Sequence, residues 1–108
     1  MLELKLVKEH CRLEPDFSAD DTLLGAYIGA AKKHVERYTR RTLYASESDP
    51  GYDADEDHLL LEDDVRTAML LLIGHLYANR EAVIVGASAS KLPLAVESLL
   101  QPYRIYGL

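Results

Sequence analysis

The sequence predicts an all-α protein: a small bundle of about four helices, two long and two short, with an acidic loop between the long helices and a flexible loop before the last. Apolar residues recur at i+3 and i+4 spacing through two long stretches, near 18–41 and 62–80. Apolar–polar alternation is confined to Leu2, Leu4 and Leu6, so no convincing sheet is expected. With 108 residues the chain is read as one domain, 1–108, around a single small core.

The first element is an extended start leading into a helix over roughly 4–12, with Leu4, Val7 and Cys11 on one face and Glu14-Pro15 as its stop. The second is a long helix. Ser18 is its expected N-cap, Asp20 and Asp21 suit its positive start, and Leu24, Tyr27, Ile28, Ala31, Val35 and Tyr38 form its apolar stripe. Lys32, Lys33, Arg37, Arg40 and Arg41 crowd its C-terminal half, the sense the helix dipole favours. Gly25, Gly29 and Ala30 are small enough to admit another helix closely.

Residues 46–58 read as a loop, with Asp49-Pro50-Gly51 as a turn signal, and Leu59, Leu60 and Leu61 return the chain to the core. The third helix spans about 62–80. Val65, Ala68, Met69, Leu72, Leu76 and Tyr77 make its stripe, and Leu70, Leu71 and Ile73 widen it, which places this helix mid-bundle or beneath a subunit contact. Arg80 ends it, read first as a structural arginine that pairs with a carboxylate or caps carbonyls. VIVGASASK follows as a small-residue, mobile loop, then a short helix from Pro93 to Leu100 with Leu94, Val96, Leu99 and Leu100 apolar, stopped by Pro102. The expected core is Leu24, Ile28, Val35, Tyr38, Val65, Met69, Leu72, Leu76 and Leu99.

Composition excludes several classes. The apolar run 68–78 is about half of the ~20 residues a membrane-spanning helix needs, and charges flank it, so no membrane is expected. The N-terminus mixes charges with apolar residues and lacks a signal-peptide h-region, and the one cysteine, Cys11, closes no intramolecular disulfide; an intracellular, reducing setting is the default. The net charge is −6, unevenly placed: residues 46–64 hold nine acids and no Lys or Arg, leaving nine acids against twelve bases elsewhere. An acidic chain without a Lys/Arg-rich run is a poor candidate for gripping a nucleic-acid backbone.

No catalytic constellation, cofactor motif or metal set is found. Asp53, Asp55 and Asp57 occupy positions 1, 3 and 5 of a calcium loop, yet position 6 is His58 where glycine is needed and position 12 is Asp64. A solvated acidic loop is the favoured reading. His10, His34, His58 and His75 stand in no zinc or general-base pattern. What the charges do suggest is a contact between copies, the basic face (Lys33, Arg37, Arg40, Arg41) of one meeting the acidic loop (Asp53, Asp55, Glu56, Asp57) of another. Complementary patches on one chain suit a head-to-tail contact that closes into a ring.

Three quoted stretches resemble a family. LKLVKEHCRLEPDFSADDTLLGAYIGAAKKHVERYTRRTL, VRTAMLLLIGHLYANREAV and LPLAVESLLQPYRIYGL, in this order, are similar to the small head–tail connector (adaptor) proteins of long-tailed double-stranded DNA phages. Cys11 stands where an aliphatic residue is usual, and the acidic loop is unusually dense. The resemblance implies a non-enzymatic virion protein at the head–tail joint, made in the host cytoplasm. It implies a homo-oligomeric ring that links the portal to tail-side head-closure proteins and helps retain packaged DNA, which passes through the channel without sequence-specific binding. Arg80, Tyr103 and Arg104, within the matching stretches, join the interface candidates. The rival reading is a small helical regulatory or antitoxin-like module binding one partner.

Overall fold

The computed structural model describes residues 1–79 and 94–106, and in these the element order is α1 (Leu4–His10), α2 (Asp21–Thr39), β1 (Thr42–Tyr44), β2 (His58–Leu60), α3 (Asp63–Ala78), α4 (Leu94–Leu100) and a 3₁₀ turn, Gln101–Tyr103. Arg80, the VIVGASASK stretch, Leu92 and Pro93 lie outside the described residues, as do Gly107 and Leu108. α3 packs against α2 on one side and α4 on another, the central place its broad apolar surface predicts.

Local sequence explains most boundaries. α1 stops earlier than Glu14-Pro15 suggests. Arg12 takes a left-handed φ of 59°, and the Leu13 and Arg12 amides donate back to the Lys8 and Glu9 carbonyls at 2.8 and 3.1 Å. This is a Schellman closure with arginine where glycine is commoner. α2 begins after Asp20, not at a Ser18 cap: the Ser18 carbonyl closes a turn with the Asp21 amide at 3.2 Å, and the first helical bond runs from the Leu24 amide to the Asp20 carbonyl at 2.8 Å. Ser18 is therefore spent on the turn before the helix. α2 ends where Arg40 turns left-handed at φ 61°. Asp63 and Asp64 supply negative charge to the first turn of α3. α4 ends at Leu100, as expected before Pro102, and Pro102 sits inside the 3₁₀ turn that follows, where a missing N–H costs no helical bond.

The strictly all-α expectation is corrected. β1 and β2 pair in parallel, Thr42 opposite His58, Leu43 opposite Leu59 and Tyr44 opposite Leu60. Leu43 and Leu59, the central pair, are both buried, so this two-stranded sheet, three residues long, joins the hydrophobic core. Strands of three residues carry too little alternation to be seen in sequence.

The core gathers Leu24, Val35, Val65, Met69 and Leu72 as expected, with Val7, Ala31, Ala68, Ile73, Val96 and Leu100 equally enclosed. Ile28, Tyr38, Leu76 and Leu99 are half-buried and pack on its margin. Leu94, counted among the apolar positions of the last helix, is 82% exposed.

Candidate assembly surfaces

The C-terminal segment is stitched across the ends of α2 and α3. Arg41, just past the left-handed end of α2, donates through Nε to the Tyr103 carbonyl, and the Ile105 amide donates to the Thr39 carbonyl at 2.9 Å. The Tyr103 hydroxyl donates to the Asp64 carboxylate in the first turn of α3, with Glu62 at 3.4 Å. Hydrogen bonding to Asp64, then burial and the charges of Asp64 and Glu62, push the Tyr103 hydroxyl well above the usual tyrosine range.

Next in the chain, Arg104 lies over two tyrosine rings, 4.7 Å from the Tyr38 centroid and 5.2 Å from that of Tyr106. Tyr38 in turn stacks with His34 at 6.4 Å. Burial lowers the His34 pKa, opposed by the charge of Glu97 on α4. The Arg104 Nε is buried without a hydrogen-bond acceptor among the described residues. Arg37, one position before Tyr38, is exposed. Among the described residues neither Arg37 nor Arg104 has a carboxylate partner; ion pairs there join Lys8 to Asp21 and Arg66 to Asp63.

The acidic loop connects β1 to β2 and is built by two of its own acids. Asp49 accepts the Ala45 and Ser46 amides at 3.0 and 3.3 Å. Asp55 accepts the Asp57 amide and the Tyr44 hydroxyl, each at 2.9 Å. The Asp57 amide first, then the Tyr44 hydroxyl, hold the Asp55 carboxyl below its usual range, and the same bond raises Tyr44. Tyr52 stacks on His58 at 4.0 Å and meets Tyr44 edge-on at 5.6 Å, filling the inside of the loop. Gly51, at φ 90°, makes its sharpest turn. Glu47, Asp53, Glu56 and Asp57 are left pointing outward, exposed and without an ion-pair partner among the described residues. Here too no group of three or more His, Cys, Asp or Glu is arranged to hold a metal ion, and Asp55 is turned to its own loop.

The residues singled out in the sequence thus fall into three situations. Lys33, Arg37, Arg40, Asp53, Glu56 and Asp57 stand exposed; Arg41, Tyr103 and Asp55 are engaged inside the fold; Arg104 is stacked yet unpaired by charge. Arg41 and Tyr103 meet each other, which spacing 62 residues apart could not show. Sequence reading misses Tyr106, Tyr44 and Tyr52, and gives Asp49 only as part of a turn signal. The Asp49 carboxylate turns back to the Ala45 and Ser46 amides, which the Asp49-Pro50-Gly51 turn signal does not reveal, and the aromatic contacts depend on tertiary placement.

A family model described as Phage gp6-like head-tail connector protein matches residues 1–104. No curated protein and no solved structure matches the chain.

Proposed function

The chain belongs to the phage gp6-like head-tail connector family, a structural and non-enzymatic component of the virion, and from that premise we propose that it forms a ring at the head–tail joint. The ring links the portal to the tail-side head-closure protein and helps hold the packaged genome. The chain is made in the host cytoplasm and acts as one domain. The match over residues 1–104 carries this reading, because it spans every described helix and both strands.

The geometry supports it in two respects. Both charge polarities sit on separate exposed elements, as a head-to-tail contact requires. A net charge of −6 also raises the cost of non-specific phosphate contact, which suits a channel that DNA crosses without sticking. No helix of the described residues is long and apolar enough to cross a membrane. No observation favours a regulatory module.

Native mass across concentration, alone and with purified portal rings, tests the reading. A large closed ring or saturable binding to portal is expected. A monomer or dimer indifferent to portal would overturn it.

A further inference from the structure

Resting on the ring reading above, we propose that the Arg104 stack on Tyr38 and Tyr106, together with the exposed Arg37 on the same helix as Tyr38, receives the acidic loop of a second copy of this chain. Asp53, Glu56 and Asp57 of that loop meet the guanidinium edges.

Arg104 is a donor group still short of acceptors. Two rings lie along it and Arg104 as a whole is half-buried, so its accessible hydrogen-bonding capacity is left at the N–H edge; the enclosed Nε has no acceptor among the described residues. An arginine fork fits a carboxylate with two parallel bonds. The outer ring of the stack, Tyr106, is 61% exposed, and ring-backed arginines of this kind are favoured at protein contacts. Among the described residues Glu97 on α4 lies near enough to His34 to oppose the lowering of its pKa, yet Glu97 makes no ion pair with Arg104.

Charge complementarity selects the occupant. The acid-rich segment 46–64 of the same chain holds nine acids and no Lys or Arg, and its outward loop carboxylates Glu47, Asp53, Glu56 and Asp57 have no cationic partner among the described residues. Its own base is not far from α2, since the Thr42 amide donates to the Asp57 carbonyl at 3.1 Å. Even so, no loop carboxylate pairs with Arg37 or Arg104 of its own chain, so both halves remain available to a neighbour. Asp49 and Asp55 already fix the loop, which lowers the ordering cost of docking it. One chain that carries a socket and its plug at different places makes a heterologous contact, the kind that propagates around a ring. A DNA phosphate is the lesser candidate, because a chain of net charge −6 repels the polyanion at a distance.

The test is native mass against concentration for wild type, Arg37→Glu/Arg104→Glu, Asp53→Lys/Glu56→Lys, and an equimolar mixture of the two variants. Melting curves check folding, and Arg37→Gln/Arg104→Gln repeats the first arm if charge reversal disturbs the stack. Each variant alone should need about tenfold or more protein for half-assembly, and the mixture should return towards wild type because the reversed surfaces complement each other. Unchanged assembly in every variant, with wild type forming rings, would overturn the docking site and leave the ring reading standing. Wild type that stays monomeric or dimeric with and without portal would overturn both. Normal assembly with lost retention of duplex DNA on a filter would make the stack a nucleic-acid surface and overturn the proposal.

Discussion

Tyr103 donates its hydroxyl to Asp64 across 39 residues of sequence, and this one bond ties the turn after α4 to the first turn of α3. Removing the hydroxyl leaves Asp64 with its bond to the Val65 amide and partial access to water, so the loss is that of one charge-assisted bond. Tyr103→Phe should cost about 1–2 kcal/mol in urea denaturation. The folded pKa of Tyr103 is raised above its usual 10.0, so its contribution is fully present below about pH 10 and is lost as pH rises from there towards the folded value. Wild type should therefore lose stability more steeply than Tyr103→Phe above that pH. Parallel alkaline curves would show that the bond does not carry the effect.

Asp55 predicts the opposite pH limit. Its folded pKa is held below the usual 3.8 by the Asp57 amide and the Tyr44 hydroxyl. The stabilisation is thus present above that value and disappears as pH falls through the folded pKa. In Asp55→Asn the Asp57 amide should exchange faster with solvent at neutral pH, and the acid-range opening of the loop expected of wild type should vanish. Equal protection of the Asp57 amide in both proteins would contradict this.

The long helices were legible because a periodic stripe is a local signal that tertiary packing reinforces: Leu24, Val35, Val65, Met69 and Leu72 were placed inside from spacing alone, and all are buried. Capping was less legible. Ser18 is a good cap by type, yet its carbonyl serves a preceding turn, and local residue preference cannot choose between two adjacent turns. The parallel pair of Thr42–Tyr44 with His58–Leu60 was invisible because each strand is three residues long and register is a long-range property. Arg104 is singled out in the sequence only through a resemblance, and its stack is not legible there because Tyr38 comes from α2, far away in the chain.

Gly25 and Gly29 bear on whether the small face of α2 is used inside the fold. A Cβ built at either meets nothing within 4 Å, so no described helix takes the close approach their size permits. Both are exposed in the interior of α2, where alanine is favoured over glycine by about 1 kcal/mol. Gly25→Ala and Gly29→Ala should each raise the melting temperature by roughly 4–8 °C. Assembly through the Arg104 stack should be unchanged. A loss of assembly in these variants, with the melting point raised, would instead place a neighbouring helix on this face.

Lys8 and Asp21 give a test of how a nearly buried charge is kept. The Lys8 side chain is 8% exposed and that of Asp21 37%, with the ammonium 2.9 Å from Asp21 Oδ1 and donating to the Pro15 carbonyl at 3.3 Å. Asp21 Oδ1 has no well-aligned hydrogen bond, so the contact is mainly ionic. The two partners are not equivalent. Asp21→Asn leaves an ammonium inside the protein with a single carbonyl, which should cost about 1–3 kcal/mol. Lys8→Met keeps the packed stem and removes the charge, while the half-open carboxylate turns to water, so its cost should stay below about 1 kcal/mol. The double variant should be no less stable than Lys8→Met, because the carboxylate has no partner left to lose. If Lys8→Met proves the more damaging, the pair itself, rather than avoidance of a stranded charge, is what holds α1 against the start of α2.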